Sequence, residues 1–398
     1  MRLKDFSVLN PQYKGENLDA EVSFVPMESL RNGTIDYQDI PFNEGKGKYT
    51  YFKDGDLLVA KVTPCFENGN IAIANEMKEG IGFGSSEIFV LRMDNKVLNT
   101  YMFYITQSGN FQDGACATMC GVGGLKRISP LFMRTYELDI PSLSEQQRIV
   151  DYLDEKLAKI DERIEVLEKQ QDAYARLKKS VIHQAVTRGL DPDVRLKDSG
   201  IEWIGMIPEH WEVKRFKEFA STTKGKQCDY YDSLGDNMAV VLTVDTLRKD
   251  IPSFYNYGYV EDKKQLCNET DIVVIWDGAG VGEFLKAKKG LLSSTIARID
   301  INAHKVLNRY LWQWRYNIEY RLKQAPTGMG IPHLSPNLLN NYLIPIPPLS
   351  EQQAIASYLD EKCAKIDAAI ENIGKQIDAS KRLKRALINE VITGQRAV

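Results

Sequence analysis

Apolar residues recur at steps of three and four along two long stretches of the chain. The first stretch contains Ile149, Leu153, Leu157, Ile160, Ile164 and Leu167, and the second contains Ile355, Leu359, Cys363, Ile366, Ile370, Ile373 and Ile377. Such steps, sustained over many turns, are typical of the seam between two paired helices. A helix from Ile149 to Val181 would be about 50 Å long, at 1.5 Å per residue. A single helix lying on a globular core is the alternative interpretation.

The two stretches are copies of each other. Leu143–Gln147 reads Leu-Ser-Glu-Gln-Gln and returns as Leu349–Gln353, and Tyr152–Lys156 returns as Tyr358–Lys362, in each case 206 residues later. This period is far longer than the 20–50 residues of a solenoid repeat, so it indicates a duplicated half-molecule. Because two equal stripes in one chain are natural partners, we predict a seam made of Leu153, Ile160, Ile164, Leu167, Leu359, Ile366, Ile370 and Ile373.

The start of each helix is predicted from a capping pattern. Ser144 and Ser350 each have Gln three residues later, which is the spacing of a capping box. Proline precedes both stretches, at Pro141 and in the run Pro345–Pro348, where a chain enters a helix from extended structure.

The segments before and between the helices are predicted to be β-rich. Short apolar runs separated by turn residues occur at 56–61, 87–92, 271–276 and 295–299. These segments also repeat faintly, because Lys96–Asn99 matches Lys305–Asn308 and Ser129-Pro130 matches Ser335-Pro336. We therefore expect an α+β fold with two diverged β-rich domains at 1–141 and 191–347, and two helical segments at 142–190 and 348–398.

Composition narrows the class of protein. The chain carries 51 Lys and Arg against 54 Asp and Glu, a net charge of −3, and 43% of its residues are hydrophobic. No apolar run approaches the roughly 18 residues of a membrane span, and the start has no apolar signal core, so we expect a cytoplasmic protein. A protein that holds DNA alone normally has a basic surplus. If this chain binds DNA, its charges are segregated or a partner supplies much of the affinity.

Five segments of the chain carry a resemblance to a known family. They are the repeated Leu-Ser-Glu-Gln-Gln helices, Ile201–Trp211 (Ile-Glu-Trp-Ile-Gly-Met-Ile-Pro-Glu-His-Trp), and the loops at 121–126 and 328–333 that lead to Ser-Pro. In this combination the chain resembles the specificity subunit of type I restriction–modification systems, over essentially its whole length. The first variable domain has no counterpart of Ile201–Trp211.

The resemblance implies a fold and a division of labour. It implies two small mixed α/β target-recognition domains separated by two long antiparallel helices that form a coiled coil, with a pseudo-two-fold duplication. Each domain would read one half of a bipartite site in double-stranded DNA. The chain itself would be non-catalytic, and the helices would dock two methyltransferase subunits, joined later by restriction (translocase) subunits. S-adenosylmethionine would be bound by the methyltransferase and not by this chain, and no membrane is involved. A separator of about 50 Å exceeds one turn of B-DNA, about 34 Å, as a spacer between half-sites requires.

Candidate DNA contacts come from basic and polar side chains in glycine-flanked loops, where backbone can approach a phosphate closely. In the first domain they are Lys46, Lys48, Lys61, Thr63, Lys126 and Arg127, and in the second Lys224, Lys226, Gln227, Asp277, Lys286 and Lys288. For each lysine, a solvated turn residue is the alternative.

Two other classes of protein stay open at this stage. A stand-alone nucleic-acid methyltransferase would need a cofactor loop such as Asp277–Gly282, but a strand-like segment follows that run, which favours a tight β-turn. Asn10–Tyr13 resembles an adenine-methyltransferase motif without the cofactor domain that should precede it. A coiled-coil scaffold that binds only proteins would show no DNA affinity. The four histidines and the pair Cys116 and Cys120 lack metal-ligand spacing.

Overall fold

The chain folds into two compact units. The computed structural model describes residues 1–122, 124–252, 254–324 and 332–398. Unit 1 comprises Met1–Gln170 with Ile373–Val398, and unit 2 comprises Gln171–Asn372. Each unit therefore contains one β-rich domain together with part of each long helix. The loop at 328–333 lies outside the described residues except for Pro332 and His333.

The β-rich part of unit 1 contains two four-stranded sheets. Its strands are β1 (Ser7–Leu9), β2 (Glu21–Val25), β3 (Gln38–Pro41), β4 (Thr50–Lys53), β5 (Leu57–Ala60), β6 (Ile71–Ile73), β7 (Ile81–Gly84) and β8 (Ile88–Met93). Its short helices are α1 (Phe42–Gly45), α2 (Asn99–Gln107), α3 (Gly109–Ala117) and α4 (Pro130–Thr135), with 3-10 turns at Leu3–Asp5, Met27–Ser29 and Lys78–Gly80. The strand orders are β1-β8-β5-β6, all antiparallel, and β3-β2-β7-β4, in which β2 and β7 are parallel. The first long helix, α5, runs from Leu143 to Arg188.

Unit 2 repeats this topology. Its strands are β9 (Leu196–Asp198), β10 (Met206–Pro208), β11 (Glu212–Arg215), β12 (Ala220–Lys224), β13 (Met238–Leu242), β14 (Tyr257–Tyr259), β15 (Leu266–Cys267), β16 (Ile272–Ile275), β17 (Phe284–Lys286), β18 (Gly290–Leu292), β19 (Ile296–Ile301) and β20 (Leu343–Ile346). Its helices are α6 (Val244–Arg248), α7 (Asn308–Gln324), α8 (Pro336–Asn340) and α9 (Leu349–Ile392), with 3-10 turns at Phe216–Glu218 and Lys263–Gln265. The orders β12-β19-β16-β17 and β14-β13-β18-β15, with β13 parallel to β18, match those of unit 1. The duplicated half-molecule is confirmed, and the hairpin β9–β10 has no counterpart among the described residues of unit 1.

One central strand organises each unit. All four residues of β5 and of β16 are buried, as their uninterrupted apolar composition predicts. Successive side chains of a strand point to opposite faces. Accordingly, Leu57 and Val59 pack in one hydrophobic cluster, while Leu58 and Ala60 pack in another. Each central strand thus joins two cores, and its C-terminal end is held firmly.

The two long helices pair with opposite directions in each unit. In unit 1, Lys384 Nζ lies 2.7 Å from Asp161 Oδ2 and Lys381 Nζ lies 3.9 Å from Glu168 Oε1, so numbers fall on α9 as they rise on α5. In unit 2, Lys178 Nζ lies 2.6 Å from Asp367 Oδ1. Asp161 lies 206 residues before Asp367, and Lys178 lies 206 residues before Lys384. The two ion pairs are therefore copies of each other, with the aspartate on α5 and the lysine on α9 in one pair and the reverse in the other.

The predicted seam has two roles. Ile164, Leu167, Ile373 and Ile377 form a small cluster in which α5 and α9 contact each other directly. Leu153 and Leu359 are fully buried in the larger cores that the helices share with the β-rich domains, and Ile160 packs at the edge of the unit 1 core. Ile366 is buried and Ile370 half-buried. A single helical stripe thus packs against both the partner helix and the domain.

The capping-box prediction was wrong. Caps at Ser144 and Ser350 would make residues 145 and 351 the first of each helix, but the helices begin two residues earlier, at Leu143 and Leu349. In α5 the Ser142 hydroxyl accepts the Glu145 amide. The side chain of Gln147 hydrogen-bonds to Asp151 one turn further along rather than to the cap. The capping pattern failed because a different glutamine of the motif carries the structural role.

That glutamine is Gln146, and Gln352 is its counterpart in unit 2. We call each of them, with its three hydrogen bonds to backbone, a latch. Gln146 Oε1 accepts the Leu98 amide at 2.8 Å, and its Nε2 donates to the carbonyls of Lys96 and Pro141, both at 2.9 Å. Gln352 makes the same three bonds, to Leu307, Lys305 and Pro347, each at 2.9 Å. Both side chains are fully buried. The latch explains why Lys-Val-Leu-Asn and Leu-Ser-Glu-Gln-Gln are both kept in the two halves.

Candidate nucleic-acid interface

In unit 1, the loop that follows residue 120 is hydrogen-bonded to the residues just after the central strand β5. We call this arrangement the clasp. The Thr63 amide donates to Lys126 O and the Ile128 amide donates to Lys61 O, both at 2.9 Å. The Thr63 hydroxyl accepts the Lys126 amide at 3.0 Å and donates to Gly124 O at 2.8 Å. The clasp therefore fixes Lys61, Lys126 and Arg127 beside one another at one end of the sheet.

The Thr63 hydroxyl helps to build this loop. Its donor and one acceptor position hold loop backbone, which fixes the neighbouring basic side chains, and its predicted contact with DNA stays a prediction.

The three basic side chains of this clasp differ in whether another side chain holds them in place. Arg127 makes a two-point pair with Glu87, Nε to Oε2 at 2.8 Å and Nη2 to Oε1 at 2.9 Å. These hydrogen bonds from Arg127 lower the pKa of Glu87. Lys61 Nζ lies 5.5 Å from the ring centroid of Phe89. Lys126 is exposed, and its side chain contacts no acid among the described residues. Arg127 is thus oriented, and Lys126 is available to a phosphate.

Unit 2 contains the same clasp with different side chains. The Gly278 amide donates to Pro332 O at 2.9 Å and the Leu334 amide donates to Trp276 O at 2.8 Å. Asp277 pairs with His333 as a backbone bridge, at the place where Val62 pairs with Arg127 in unit 1. Arg127 and His333 are 206 residues apart, so the duplication brings different side chains to one position.

Asp277 is the acid of this second clasp. Its carboxylate accepts from Lys224 Nζ at 2.8 Å and lies 2.6 Å from His333 Nδ1. Burial by itself would raise the pKa of Asp277, but the hydrogen bonds from His333 and Lys224 bring it below its ordinary value. Asp277 is therefore ionised. Because its carboxylate hydrogen-bonds to both His333 and Lys224, it holds these two side chains in position. The glycines that follow it form the tight turn that was predicted, with positive φ at Gly278, Gly280 and Gly282.

Several predicted contacts lie away from the clasps. Lys46 and Lys48 follow α1, next to β4 in the other sheet, and Lys46 Nζ donates to Asn17 Oδ1 at 2.6 Å. Lys226 and Gln227 line a cavity of about 350 Å³ together with Tyr231 and Tyr259. Lys226 and Gln227 follow Lys224 closely in the chain, whereas Lys46 and Lys48 belong to a different sheet from Lys61.

Lys286 and Lys288 line the same cavity but differ in their contacts. Lys288 is half-buried and its Nζ donates to Lys249 O at 2.6 Å, while its predicted contact with DNA stays a prediction. Lys286 Nζ lies 5.5 Å from the ring centroid of Trp312 on α7.

The sequence analysis missed a basic and aromatic stack on α7. The Arg315 guanidinium lies 4.2 Å from the ring centroid of Trp312 and 4.0 Å from that of Tyr316. It also donates to the Tyr316 hydroxyl at 2.6 Å. With Lys286, these residues form a surface suited to a phosphate or an aromatic ligand. Trp312 and Arg315 stand three residues apart, which on a helix places them on one face, and that spacing was the available signal.

Neither a metal-binding cluster nor a membrane-spanning helix occurs in the part of the chain that the structure describes. Within 1–122, 124–252, 254–324 and 332–398, no group of three or more His, Cys, Asp or Glu side chains could hold a metal ion. None of the helices in these ranges is both long and apolar enough to cross a membrane.

Comparison with known proteins identifies the family. The model of the type I restriction modification DNA specificity domain matches this chain twice, at residues 11–170 and 208–378. The chain belongs to this family. It is thus a DNA specificity subunit of the type I restriction–modification class, with one specificity domain matched in each half.

Relatives and solved structures agree with this assignment. The type I restriction enzyme EcoAI specificity subunit of Escherichia coli is 25% identical, with 96% of this chain and 80% of the relative covered. The MjaVIII specificity subunit of Methanocaldococcus jannaschii is 33% identical over 47% of this chain and 43% of its own length. A solved chain from a study of assembly of the type I R-M system covers 98% of this chain and 96% of its own length, with a TM-score of 0.78 and 17% identity. The HsdS subunit from Thermoanaerobacter tengcongensis covers 100% of this chain and 96% of its own length, with a TM-score of 0.55 and 18% identity. At these identities the solved structures confirm the fold of the specificity subunit.

Proposed function

We propose that each unit reads one half of a bipartite site in double-stranded DNA, through the side chain at position 127 in unit 1 and at position 333 in unit 2. The supporting observation is that one clasp occurs in both units with a different side chain in the same place, each oriented by an acid. Contacts to phosphate carry no sequence information, whereas oriented donors can distinguish base edges. A guanidinium held by Glu87 suits the N7 and O6 acceptors of guanine.

Methylation mapping tests this assignment. In cells that express the chain with its methyltransferase, Arg127→Gln should relax or change one position of one half-site, since a two-point base contact contributes about 1–3 kcal/mol of discrimination. His333→Gln should affect only the other half-site. Arg134→Gln replaces an exposed arginine on α4 and is the control. If Arg127→Gln lowers methylation equally at all sites and alters no base preference, Arg127 contacts phosphate and the assignment fails.

The long helices carry the surface for protein partners under this proposal. Exposed or half-exposed side chains recur on both helices at a spacing of 206, namely Gln147, Tyr152, Glu155, Lys156 and Lys159 with Gln353, Tyr358, Glu361, Lys362 and Lys365. Their local contacts are also copied, because Lys159 Nζ and Lys365 Nζ each lie 2.6 Å from a glutamate one turn earlier. Surface positions without partners vary at little cost to stability. Exposed residues kept in both copies therefore favour one kind of partner bound twice, which we assign to two methyltransferase subunits, with restriction subunits joining the assembled complex.

Stoichiometry tests this docking face. Tyr152→Ala or Tyr358→Ala should each reduce the complex from two methyltransferase subunits to one in native mass spectrometry, and the double variant should bind none. Tyr174→Ala is the matched control, because it lies on the same helix with similar exposure but corresponds to Ser380 in the second copy. Full occupancy of the double variant would contradict the assignment.

We also propose that the chain is non-catalytic and binds no S-adenosylmethionine itself. The competing hypothesis, a stand-alone methyltransferase, is opposed by the β-turn at Gly278–Gly282, which leads into a strand and not a helix. Isothermal titration of the isolated chain with S-adenosylmethionine should show no binding, whereas the complex with methyltransferase should bind it. A scaffold that binds only proteins would show no sequence-dependent DNA affinity in that complex.

A further inference from the structure

Unit 2 has an acidic cavity beside its sheet β14-β13-β18-β15. The cavity has a volume of about 350 Å³, and cavities of about 300–1,000 Å³ are typical of sites for small ligands. Three carboxylates line it, those of Asp229, Glu261 and Asp262, together with one ammonium group, that of Lys226. The charged groups of the lining therefore have a formal net charge of −2. We call this space the acidic cavity.

Two tyrosine rings form one wall of the acidic cavity. The backbone of Tyr231 pairs with that of Tyr257 in β14, with N–H···O distances of 3.0 and 2.9 Å. Because residues two apart on a strand face the same side, this pairing brings Tyr259 next to Tyr231. The centroids of their rings lie 5.5 Å apart, with the rings 80° to each other. Aromatic faces that are partly exposed in this way attract organic cations.

The remaining lining combines apolar side chains with a buried amide. Strand β18 contributes Leu291 and Leu292, which are 5% and 1% exposed. Gln265 ends the 3-10 turn that precedes β15, and it is 7% exposed. Its side-chain oxygen Oε1 accepts no hydrogen bond within the part of the chain that the structure describes. A buried acceptor without a partner is destabilising, so a ligand N–H group that reaches this oxygen would bind favourably.

The lining favours an extended organic cation over a phosphate or a metal ion. A net negative lining repels phosphate, which disfavours the DNA backbone as the ligand. Three carboxylates line the cavity, yet no three His, Cys, Asp or Glu side chains of the described residues form a group that could hold a metal ion. Carboxylates that do not converge on one point suit a ligand whose positive charges are spread along its length. The leucines and tyrosines suit methylene groups between those charges.

We propose that the acidic cavity of unit 2 binds an aliphatic polyamine. Its ammonium groups would pair with the exposed carboxylates of Asp229 and Glu261, which form no ion pair with any described residue. Another N–H group would donate to Gln265 Oε1, and the methylene groups would pack against Leu291 and the Tyr259 ring. The proposal follows from the chemistry of the cavity and not from the DNA-reading role, so it stands apart from the proposed function.

Isothermal titration of the 398-residue chain with spermidine tests the proposal. At low ionic strength, where charge pairs are least screened, binding should saturate at one molecule per chain. The double variant Asp229→Asn/Glu261→Gln should bind about tenfold more weakly. The matched control is Asp232→Asn/Asp236→Asn, which removes two exposed carboxylates of the neighbouring loop that do not line the cavity. Binding that does not saturate, or equal weakening in the two double variants, would show only attraction to an acidic surface and would overturn the proposal.

Variants of the uncharged lining separate binding from folding. Tyr259→Leu should weaken spermidine binding about threefold, whereas Tyr259→Phe keeps the aromatic face and should keep the affinity. Gln265→Leu should weaken binding about tenfold without lowering the thermal midpoint of the unliganded chain, because it removes an unpaired buried acceptor. Unchanged affinity in both Tyr259→Leu and Gln265→Leu would mean that the ligand does not enter the cavity, and the proposal would fall.

Competition identifies the kind of cation. Mg²⁺ at matched ionic strength should not displace spermidine, because the carboxylates do not form a metal site. N-acetyl-arginine amide represents a basic side chain of a partner protein and should bind about tenfold more weakly than spermidine, since it carries a single charge. If Mg²⁺ displaces spermidine, or if the arginine derivative binds as tightly, the assignment to a polyamine is wrong.

Discussion

At the scale of single residues, one buried glutamine near the start of each long helix connects that helix to its β-rich domain. Gln146 and Gln352 each hydrogen-bond to one backbone amide and two backbone carbonyls, in a buried or partly buried setting. A buried backbone N–H or C=O group left without a hydrogen bond costs about 1–3 kcal/mol of stability. One glutamine side chain supplies hydrogen bonds to three backbone groups here. Glutamine suits the position because its amide is both acceptor and donor.

The latch gives a prediction with a built-in control. Gln146→Leu should destabilise unit 1 by about 3 kcal/mol or more, because it leaves three backbone groups unpaired. Hydrogen exchange should accelerate at the Leu98 amide and not at Leu307, and Gln352→Leu should show the reverse. Gln147→Leu changes an exposed neighbour and should leave both amides protected. Unchanged exchange at Leu98 in Gln146→Leu would contradict the latch.

At the scale of elements, the long helices carry a stripe that packs against the opposite helix in one region and against the domain in another. Ile164 and Leu167 contact Ile373 and Ile377, whereas Leu153 and Leu359 lie in domain cores. The ion pairs Lys384–Asp161 and Lys178–Asp367 border this stripe, but partly exposed pairs of this kind contribute about 1 kcal/mol or less. Apolar packing therefore dominates the helix pair.

Charge placed in the stripe should reveal this dominance. Ile160→Asp and Ile366→Asp should each lower the unfolding free energy by about 3 kcal/mol, since each removes an apolar side chain from the stripe and desolvates a carboxylate there. Glu162→Ala, on the exposed side of α5, should change it by less than about 0.5 kcal/mol. Urea denaturation followed by circular dichroism measures both, and equal midpoints for the three variants would reject the paired-helix assignment.

The helices also give a prediction about spacing. Inserting four residues into both α5 and α9, after Gln170 and after Asn372, adds about 6 Å at 1.5 Å per residue. Under the proposed function the spacer between half-sites should lengthen by one or two base pairs, while the half-sites stay the same. Methylation mapping of the variant reads both quantities, and an unchanged spacer would disprove that the helices set it.

At the scale of the whole molecule, the two units share a topology but not a set of exposed loops. Both sheets and their orders are duplicated, whereas the clasps place Arg127 and Glu87 in one unit and His333 and Asp277 in the other. Such a chain should be modular, because each clasp and each latch is closed within its own unit.

Replacement of one domain tests the modularity. Exchanging residues 1–141 for another recognition domain that keeps the Lys-Val-Leu-Asn segment should change one half-site of the methylated motif. The other half-site and the spacer should persist. The segment must be kept because Gln146 binds to it. A simultaneous change in both half-sites would mean that the two domains read DNA jointly.

The sequence by itself determined the helices, the duplication, the central strands and the family. Helical stripes and exact repeats can be read locally, since they depend only on residue spacing. The clasps and the latches were decided by tertiary structure. Arg127 meets Glu87 40 residues away and Gln146 meets Leu98 48 residues away, and such pairings exist only after the sheets have formed. For the same reason the sequence could not show that the polar side-chain atoms of Thr63 and Lys288 bond to backbone carbonyls distant in the chain.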